Sequence, residues 1–100
     1  MTGEEPVVLD RRDEQRFVVT VDGVSAELDY RIRDGHLYLD HTEVPEAIGG
    51  RGIAGVLTQA AVDRARREGL VVVPLCPYAR AWLADHPEVA STVSVAWPGR

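Results

Sequence analysis

The chain reads VPEAIGGRGIAGVL over residues 44–57, where a strand-like pattern gives way to the longest helical pattern of the sequence. Glycines at positions 49, 50, 52 and 55 crowd this junction, and Arg51 lies among them. The first backbone N–H groups of a helix have no partner within the helix, and the helix dipole places partial positive charge there. A glycine-rich turn that leads into a helix therefore predicts a site for a phosphate group.

Three other interpretations of this turn have to be weighed. Residues 50–55 match the pattern G-x-G-x-x-G of dinucleotide-binding folds, but those folds need parallel strands before and after the helix and an acidic residue near the ribose. Here the preceding strands have an antiparallel pattern, and the strand after the helix is followed by Pro-Leu-Cys-Pro. A Walker-type loop is excluded because no Gly-Lys-Ser or Gly-Lys-Thr occurs. The glycines also fit a purely structural role, in a tight turn with close helix packing.

Length and charge narrow the class of protein. The chain has 100 residues, enough for one small domain with a single core. Its net charge of −5 argues against nucleic-acid binding and is compatible with an amine-bearing substrate. No apolar run approaches the ~20 residues of a membrane span, so we expect no membrane insertion. A single cysteine cannot form an internal disulfide, which favours a cytoplasmic location, and the sequence leaves monomer and homodimer both open.

Alternating apolar and polar residues predict a mostly antiparallel sheet. Strands over residues 16–21, 24–33 and 36–44 are joined by Asp-Gly pairs, the signal of tight hairpins. Residues 1–14 are predicted to form a loosely ordered lead-in, with an edge strand at residues 7–9, and residues 15–97 to form a single domain. A last strand is expected around residues 93–97.

From Gly52 onward the apolar period changes from two to 3.6 residues, which predicts a helix over residues 52–68. The charged residues at 63–68 fall largely outside its apolar stripe. Residues 70–73 predict a short buried strand parallel to the one before the helix, and residues 78–86 a second, shorter helix. The predicted fold class is α+β, with a mostly antiparallel sheet, two helices and a cofactor cleft where two parallel strands diverge.

This order of elements, with a turn related to Arg/Gln-x-x-Gly-x-Gly/Ala, resembles the GNAT superfamily of N-acetyltransferases. A small single-domain branch of that superfamily is similar over about residues 15–90, in the blocks HTEVP (41–45), RGIA (51–54), PLC (74–76) and HPE (86–88), with Tyr78 and Trp82. The resemblance implies acetyl-CoA as cosubstrate and acetyl transfer to an amine of unknown identity. Gly49 stands where Arg or Gln is usual, and typical members carry further walls around the acceptor. A non-catalytic acyl-CoA-binding or interaction module is therefore the alternative.

The resemblance also implies a set of cofactor-binding residues, because the backbone N–H groups of this turn hold the pyrophosphate of acetyl-CoA in that superfamily. The set comprises Val44, Gly49, Gly50, Arg51, Gly52, Ile53, Ala54 and Tyr78. For Tyr78 two further roles are open, as an acid toward the leaving thiolate or as a core aromatic at a helix start.

Three residues are candidates for catalysis. Cys76 immediately precedes the second predicted helix, whose dipole favours a thiolate, although a free cysteine is also a common buried hydrophobe. His41 and Glu43 lie two residues apart on one strand and therefore on one face, and either can serve as the base that deprotonates an ammonium. The three residues lack the spacing of a metal site, so no metal is predicted.

Overall fold

The computed structural model describes residues 7–99, which form a five-stranded sheet with helices on one face. The strands are β1 (Val8–Arg11), β2 (Arg16–Val21), β3 (Val24–Arg33), β4 (His36–Glu43) and β5 (Val71–Pro74). Chain order equals sheet order; β1 to β4 are antiparallel neighbours, and β5 lies parallel to β4 at the far edge. The predicted mostly antiparallel sheet with one parallel pair is confirmed.

Two Asp-Gly turns form the hairpins on either side of β3. Asp22 and Asp34 adopt φ values of 53° and 51°, and a glycine with positive φ follows each. Two consecutive left-handed residues match the right-handed twist of the strands, which is why these pairs give such tight hairpins. Within the predicted lead-in, β1 pairs with β2 as the edge strand, and residues 1–6 lie outside the described residues.

The helices cover the sheet from one side. They are α1 (Ile53–Glu68), α2 (Pro77–Asp85) and the short α3 (Pro87–Ala90), and a single 3-10 turn, Glu46–Ile48, precedes α1. Helix α1 joins β4 to β5 and packs across the strands, while α2 packs against α1, β4 and β5. Both predicted helices are confirmed. No helix within residues 7–99 has the length and apolar character needed to cross a bilayer.

The C-terminal segment makes a single bridge instead of the expected last strand. Val95 lies opposite Val72, with the N–H of Val72 donating to Ser94 at 2.9 Å and the N–H of Ala96 donating to Val72 at 2.8 Å. Pro74 limits this ladder, because a proline has no N–H to donate.

Alternate strand residues point toward α1 and α2 and form one core. Its members include Phe17, Val19, Leu28, Leu37, Leu39, Leu57, Ala61, Val72 and Leu83.

The charged end of α1 departs from the sequence prediction at Arg64, which is buried, with only 7% of its side chain exposed. Its guanidinium donates to Asp10 at 2.9 Å and to the Tyr30 hydroxyl at 2.7 Å, so it ties the edge strand β1 to the helix. The opposite face of the sheet, which we call the open face, carries polar side chains.

Candidate active site

A β-bulge in β4 determines which side chains face the core near the end of that strand. Asp29 pairs with His41 while the next residue, Tyr30, pairs with Leu39, so Asp40 is the extra residue. Leu39 is buried, and beyond the bulge the next buried side chain is Thr42. A bulge shifts the two-residue alternation by one. His41 and Glu43 therefore point to the open face, and Thr42 points toward the helices.

The two parallel strands separate immediately after this bulge. Their pairing ends at Leu39 and Pro74, and the carbonyl of Leu39 accepts the N–H groups of both Leu75 and Cys76, at 3.0 Å and 2.9 Å. Residues 40–43 of β4 continue without β5 beside them. We call the space between them and the start of α2 the cleft; it lies where the sequence predicted that the strands diverge.

Cys76 lies at the N-cap of α2, beside this cleft, as the sequence predicted. Its side chain is 1% exposed, and its Sγ atom is 2.9 Å from the Oγ1 atom of Thr42. Either atom can be the donor in this hydrogen bond. The structure thus shows a contact between Cys76, which the sequence identified as a candidate, and Thr42, which it did not.

A pocket of about 200 Å³ lies where β4 ends and α1 and α2 begin. It is lined by Val44, Gly49, Gly50, Gly52, Ile53, Ala54 and Tyr78. These are the predicted cofactor-binding residues except Arg51. Tyr78 is 61% exposed and forms part of the wall, so its interpretation as a core aromatic is wrong. The reason is its place in the first turn of α2, on the side that lines this pocket.

The glycines of the junction have two different structural roles. Gly50 and Gly52 have φ values of 76° and 72°, in the left-handed region that disfavours side chains, and they bring bare backbone to the pocket. Gly52 is the N-cap of α1 and has no side-chain cap, so the first N–H groups of the helix are available to a ligand. Gly55 is different: a Cβ there would lie 2.2 Å from Nε1 of Trp82. It allows α2 to pack closely against α1.

Arg51 is in the middle of the glycine turn (residues 49–52), but its side chain turns away from the pocket. Its Nη1 atom donates to Oδ2 of Asp22 at 2.8 Å, in the hairpin between β2 and β3. Both side chains are largely exposed. In this arrangement the Arg51 side chain does not line the pocket, and its contact with the cofactor stays a prediction.

His41 and Glu43 lie together on the open face, with His41 Nε2 3.1 Å from Glu43 Oε1. Their side chains are 61% and 65% exposed, so both are accessible to a substrate that approaches from solvent. The prediction that they share a face holds. Cys76 lies on the other, covered side of β4, and the three candidates do not form one hydrogen-bonded set.

Negative charge accumulates on the open face beside this pair. Glu27 lies opposite Glu43 in the β3–β4 register, and Asp29 lies opposite His41. Burial and, after it, the negative charge of Asp29 raise the pKa of Glu27 above its ordinary value, although Arg16 opposes the shift. Within residues 7–99, no three potential metal ligands gather at one point. Arg16 of β2 supplies a cation to both carboxylates, with its Nη1 atom 3.2 Å from Glu27 and its Nε atom 3.5 Å from Asp29.

A sheet of this topology, with a glycine-lined pocket at the start of the helix that follows β4, defines the class of fold that N-acetyltransferases use. Residues 16–92 match the profile of the GCN5-related N-acetyl-transferase family. The chain belongs to this family.

Known relatives agree with that assignment. The chain is 43% identical over 49 residues to the protein NATD1 of Xenopus tropicalis and to that of Homo sapiens. These matches cover 49% of this chain and 45% and 43% of the relatives, which is less than half of their length. A GCN5-like candidate N-acetyltransferase from Staphylococcus aureus, solved by NMR, superposes with a TM-score of 0.68 at 26% identity. That superposition covers 100% of this chain and 93% of the other.

Sequence reasoning missed Thr42 and Asp22 as parts of the site. Thr42 sits between the two residues that were singled out, and strict alternation places it on the opposite face from them. Its hydroxyl contact with Cys76 depends on the bulge and on a helix 34 positions away. The sequence identifies Asp22 only as a turn residue. Its contact with Arg51, 29 positions away, forms only in the folded chain.

Proposed function

We propose that this protein uses acetyl-CoA to acetylate an amine. The observation that carries the proposal is the pocket at the start of α1, whose wall is the backbone of the glycine turn. Its position beside the cleft supports a ligand with a phosphate end and an extended acyl end. The single cysteine of the chain fits a reducing compartment, so we also propose a cytoplasmic location.

The residues present fit the pyrophosphate of such a ligand. Gly50 and Gly52 keep side chains out of the pocket, and the uncapped start of α1 offers N–H donors and the positive end of the helix dipole. Val44 and Tyr78 form the apolar part of the wall. When bound, acetyl-CoA supplies an activated acetyl thioester, and the protein supplies position and proton transfer.

The proton acceptor in this proposal is His41. Oε1 of Glu43 lies 3.1 Å from Nε2 of His41. A neutral imidazole that carries its proton on Nε2 donates it to this carboxylate, and its Nδ1 atom is then free to accept a proton. An ammonium must lose a proton before its nitrogen can attack a thioester, and Nδ1 takes that proton. The exposed carboxylate of Glu43 on the open face favours a cationic acceptor.

Cys76 has a different role in this proposal. Its thiol is buried against Thr42 and lies at the first turn of α2, so it forms the wall at the acyl end of the cleft. Direct transfer needs no covalent bond to this sulfur. In the rival route the Cys76 thiolate first takes the acetyl group. This route predicts an acetyl adduct in the intact mass of the protein after incubation with acetyl-CoA without an acceptor.

The second candidate function is acyl-CoA binding without catalysis. The observation that favours it is Gly49, which stands where the superfamily usually carries Arg or Gln and which offers only backbone to the pocket. An acetylation assay over a panel of small and peptide amines separates the two, because a binding module gives ligand-dependent stabilisation without product.

The melting temperature in the presence of different ligands tests which class of ligand the protein binds. A ligand that binds only the folded state stabilises it by about 2.7 kcal/mol at a hundredfold excess over Kd. Acetyl-CoA and CoA should raise the melting temperature, whereas NAD and ATP should do so much less. Equal shifts with ATP would mean that the pocket recognises polyphosphate in general, and the proposal would lose its support.

The variants Gly52→Asp and Gly52→Asn test whether the ligand binds in the pocket. Asp and Asn have the same size and tolerate the left-handed region better than other side chains, and open space surrounds the added Cβ. Gly52→Asp should abolish CoA binding by charge repulsion and steric intrusion, and Gly52→Asn should lose less. Normal CoA affinity of Gly52→Asp would show that the phosphates bind elsewhere.

A further inference from the structure

The ion pair between Arg51 and Asp22 connects the glycine turn to a distant hairpin. Arg51 lies between Gly50 and Gly52, the two pocket residues with positive φ, and is the cation nearest in sequence to the pocket wall. Its guanidinium nevertheless bonds Asp22 at 2.8 Å. Asp22 is fixed in position by its hairpin, because it occupies the left-handed first position of the Asp-Gly turn.

This contact is weak enough to be exchanged for another. The side chains of Arg51 and Asp22 are 49% and 71% exposed, and ion pairs between exposed side chains change an equilibrium by at most about fivefold. The contact with Asp22 is a single hydrogen bond from Nη1, whereas a phosphate can accept a charge-assisted bidentate pair from the guanidinium. About half of the Arg51 side chain faces solvent, which leaves it room to change partner.

We propose that Asp22 competes with the phosphates of the bound ligand for Arg51, and so lowers the affinity of the glycine turn for its ligand. The proposal rests on the proposed function in one respect, that a phosphate-bearing ligand occupies the pocket beside this turn. Arg51 has two alternative partners, the Asp22 carboxylate in the free protein and a ligand phosphate in the complex. Asp22 is then a residue that sets cofactor affinity without touching the cofactor.

The chain offers a matched pair of substitutions for the test. Asp22→Asn removes the charge and preserves the turn, because asparagine is well tolerated at positive φ. Asp34→Asn makes the same change in the second Asp-Gly turn, where φ is 51°, and serves as the control for net charge. Binding of CoA to the full chain is measured by isothermal titration calorimetry at low salt, for both variants, for Arg51→Ala and for the double variant.

We expect Asp22→Asn to bind CoA about three- to fivefold more tightly than the wild type, within the limit for an exposed pair, and Asp34→Asn to bind as the wild type does. Arg51→Ala should bind more weakly, and Asp22→Asn should have no effect in the Arg51→Ala background. Unchanged or weaker binding of Asp22→Asn would overturn the proposal. An equal gain in the Arg51→Ala background would also overturn it, since Asp22 would then act by direct charge repulsion.

Inorganic pyrophosphate is the second probe and separates this proposal from the proposed function. If CoA fails to bind the wild type, the assignment of acetyl-CoA is wrong, and the wild type and the same four variants are titrated with pyrophosphate. Tighter pyrophosphate binding by Asp22→Asn, dependent on Arg51, supports the competition on its own. Absence of any pyrophosphate effect in those titrations would refute it.

Discussion

Gly55→Ala should destabilise this protein, although the same change in an ordinary helix is stabilising. Alanine is favoured over glycine inside a helix by about 1 kcal/mol. At this position, however, the added Cβ would lie 2.2 Å from Nε1 and 2.9 Å from Cδ1 of Trp82. Carbon atoms in contact are about 3.5–4 Å apart, so the indole has to move by more than 1 Å.

The magnitude follows from what Trp82 loses when it moves. Overpacking of this kind costs about 1–3 kcal/mol, and the stack of Trp82 on His86, with ring centroids 4.1 Å apart, contributes about 0.5–1.5 kcal/mol more. After the gain in helix propensity is subtracted, we expect a net loss of about 0.5–3.5 kcal/mol. For a domain of this size, each kcal/mol lowers the melting temperature by about 4–8 °C.

The assay is urea unfolding followed by far-ultraviolet circular dichroism, with Trp82 fluorescence recorded in a Trp97→Phe background. The control is Trp82→Leu, which removes the indole that the new methyl group meets. In that background Gly55→Ala should be neutral or stabilising. The reasoning is wrong if Gly55→Ala is as stable as the wild type, or if the loss is the same with leucine at position 82.

Three other predictions concern the buried polar network and the cysteine. Asp10→Ala should cost about 2–3 kcal/mol in urea unfolding and more than Arg64→Met, because it leaves a buried guanidinium with only the partly exposed Glu68, 3.2 Å from its Nε atom, as a carboxylate partner; a larger loss for Arg64→Met would contradict this. Burial and the hydrogen bond to Asp10 raise the pKa of Tyr30, so its stabilising effect is complete below the unfolded-state pKa and is lost as pH rises through the folded-state pKa. Tyr30→Phe should remove the last phase of a near-ultraviolet absorbance titration, and a titration of unchanged shape would argue against the burial. For Cys76, incubation with acetyl-CoA without an acceptor should leave the intact mass unchanged, whereas an acetyl adduct that disappears in Cys76→Ala would identify a covalent nucleophile.

Local signals account for most of the fold that could be predicted from the sequence. The two Asp-Gly pairs specify hairpins because few residues other than glycine, asparagine and aspartate accept positive φ. The 3.6-residue period over residues 53–68 predicts α1, and the short β-branched segment after it predicts β5. The pocket could be predicted for the same reason, since a glycine turn and a helix start are neighbours in the chain.

The parts that could not be predicted depend on partners far away in the sequence. Arg64 has the pattern of a solvent-exposed helix residue, but Asp10 and Tyr30 make its burial favourable. Gly55 belongs by motif to the phosphate turn, and only the position of Trp82 reveals its packing role. No alternation of residue types reveals the bulge at Asp40, because the residues around it are polar on both faces.

The bulge at Asp40 also constrains how this family can vary in length. Removing Asp40 alone would restore regular alternation while leaving His41 and Glu43 on the open face and Thr42 toward the helices, because His41 would still pair with Asp29. Losing the bulge without losing a residue would instead bring His41 opposite Leu28, which faces the helices, and would turn Thr42 toward the open face. In related chains that keep the same reactive side chains, we therefore expect the bulge to disappear only together with one residue of β4.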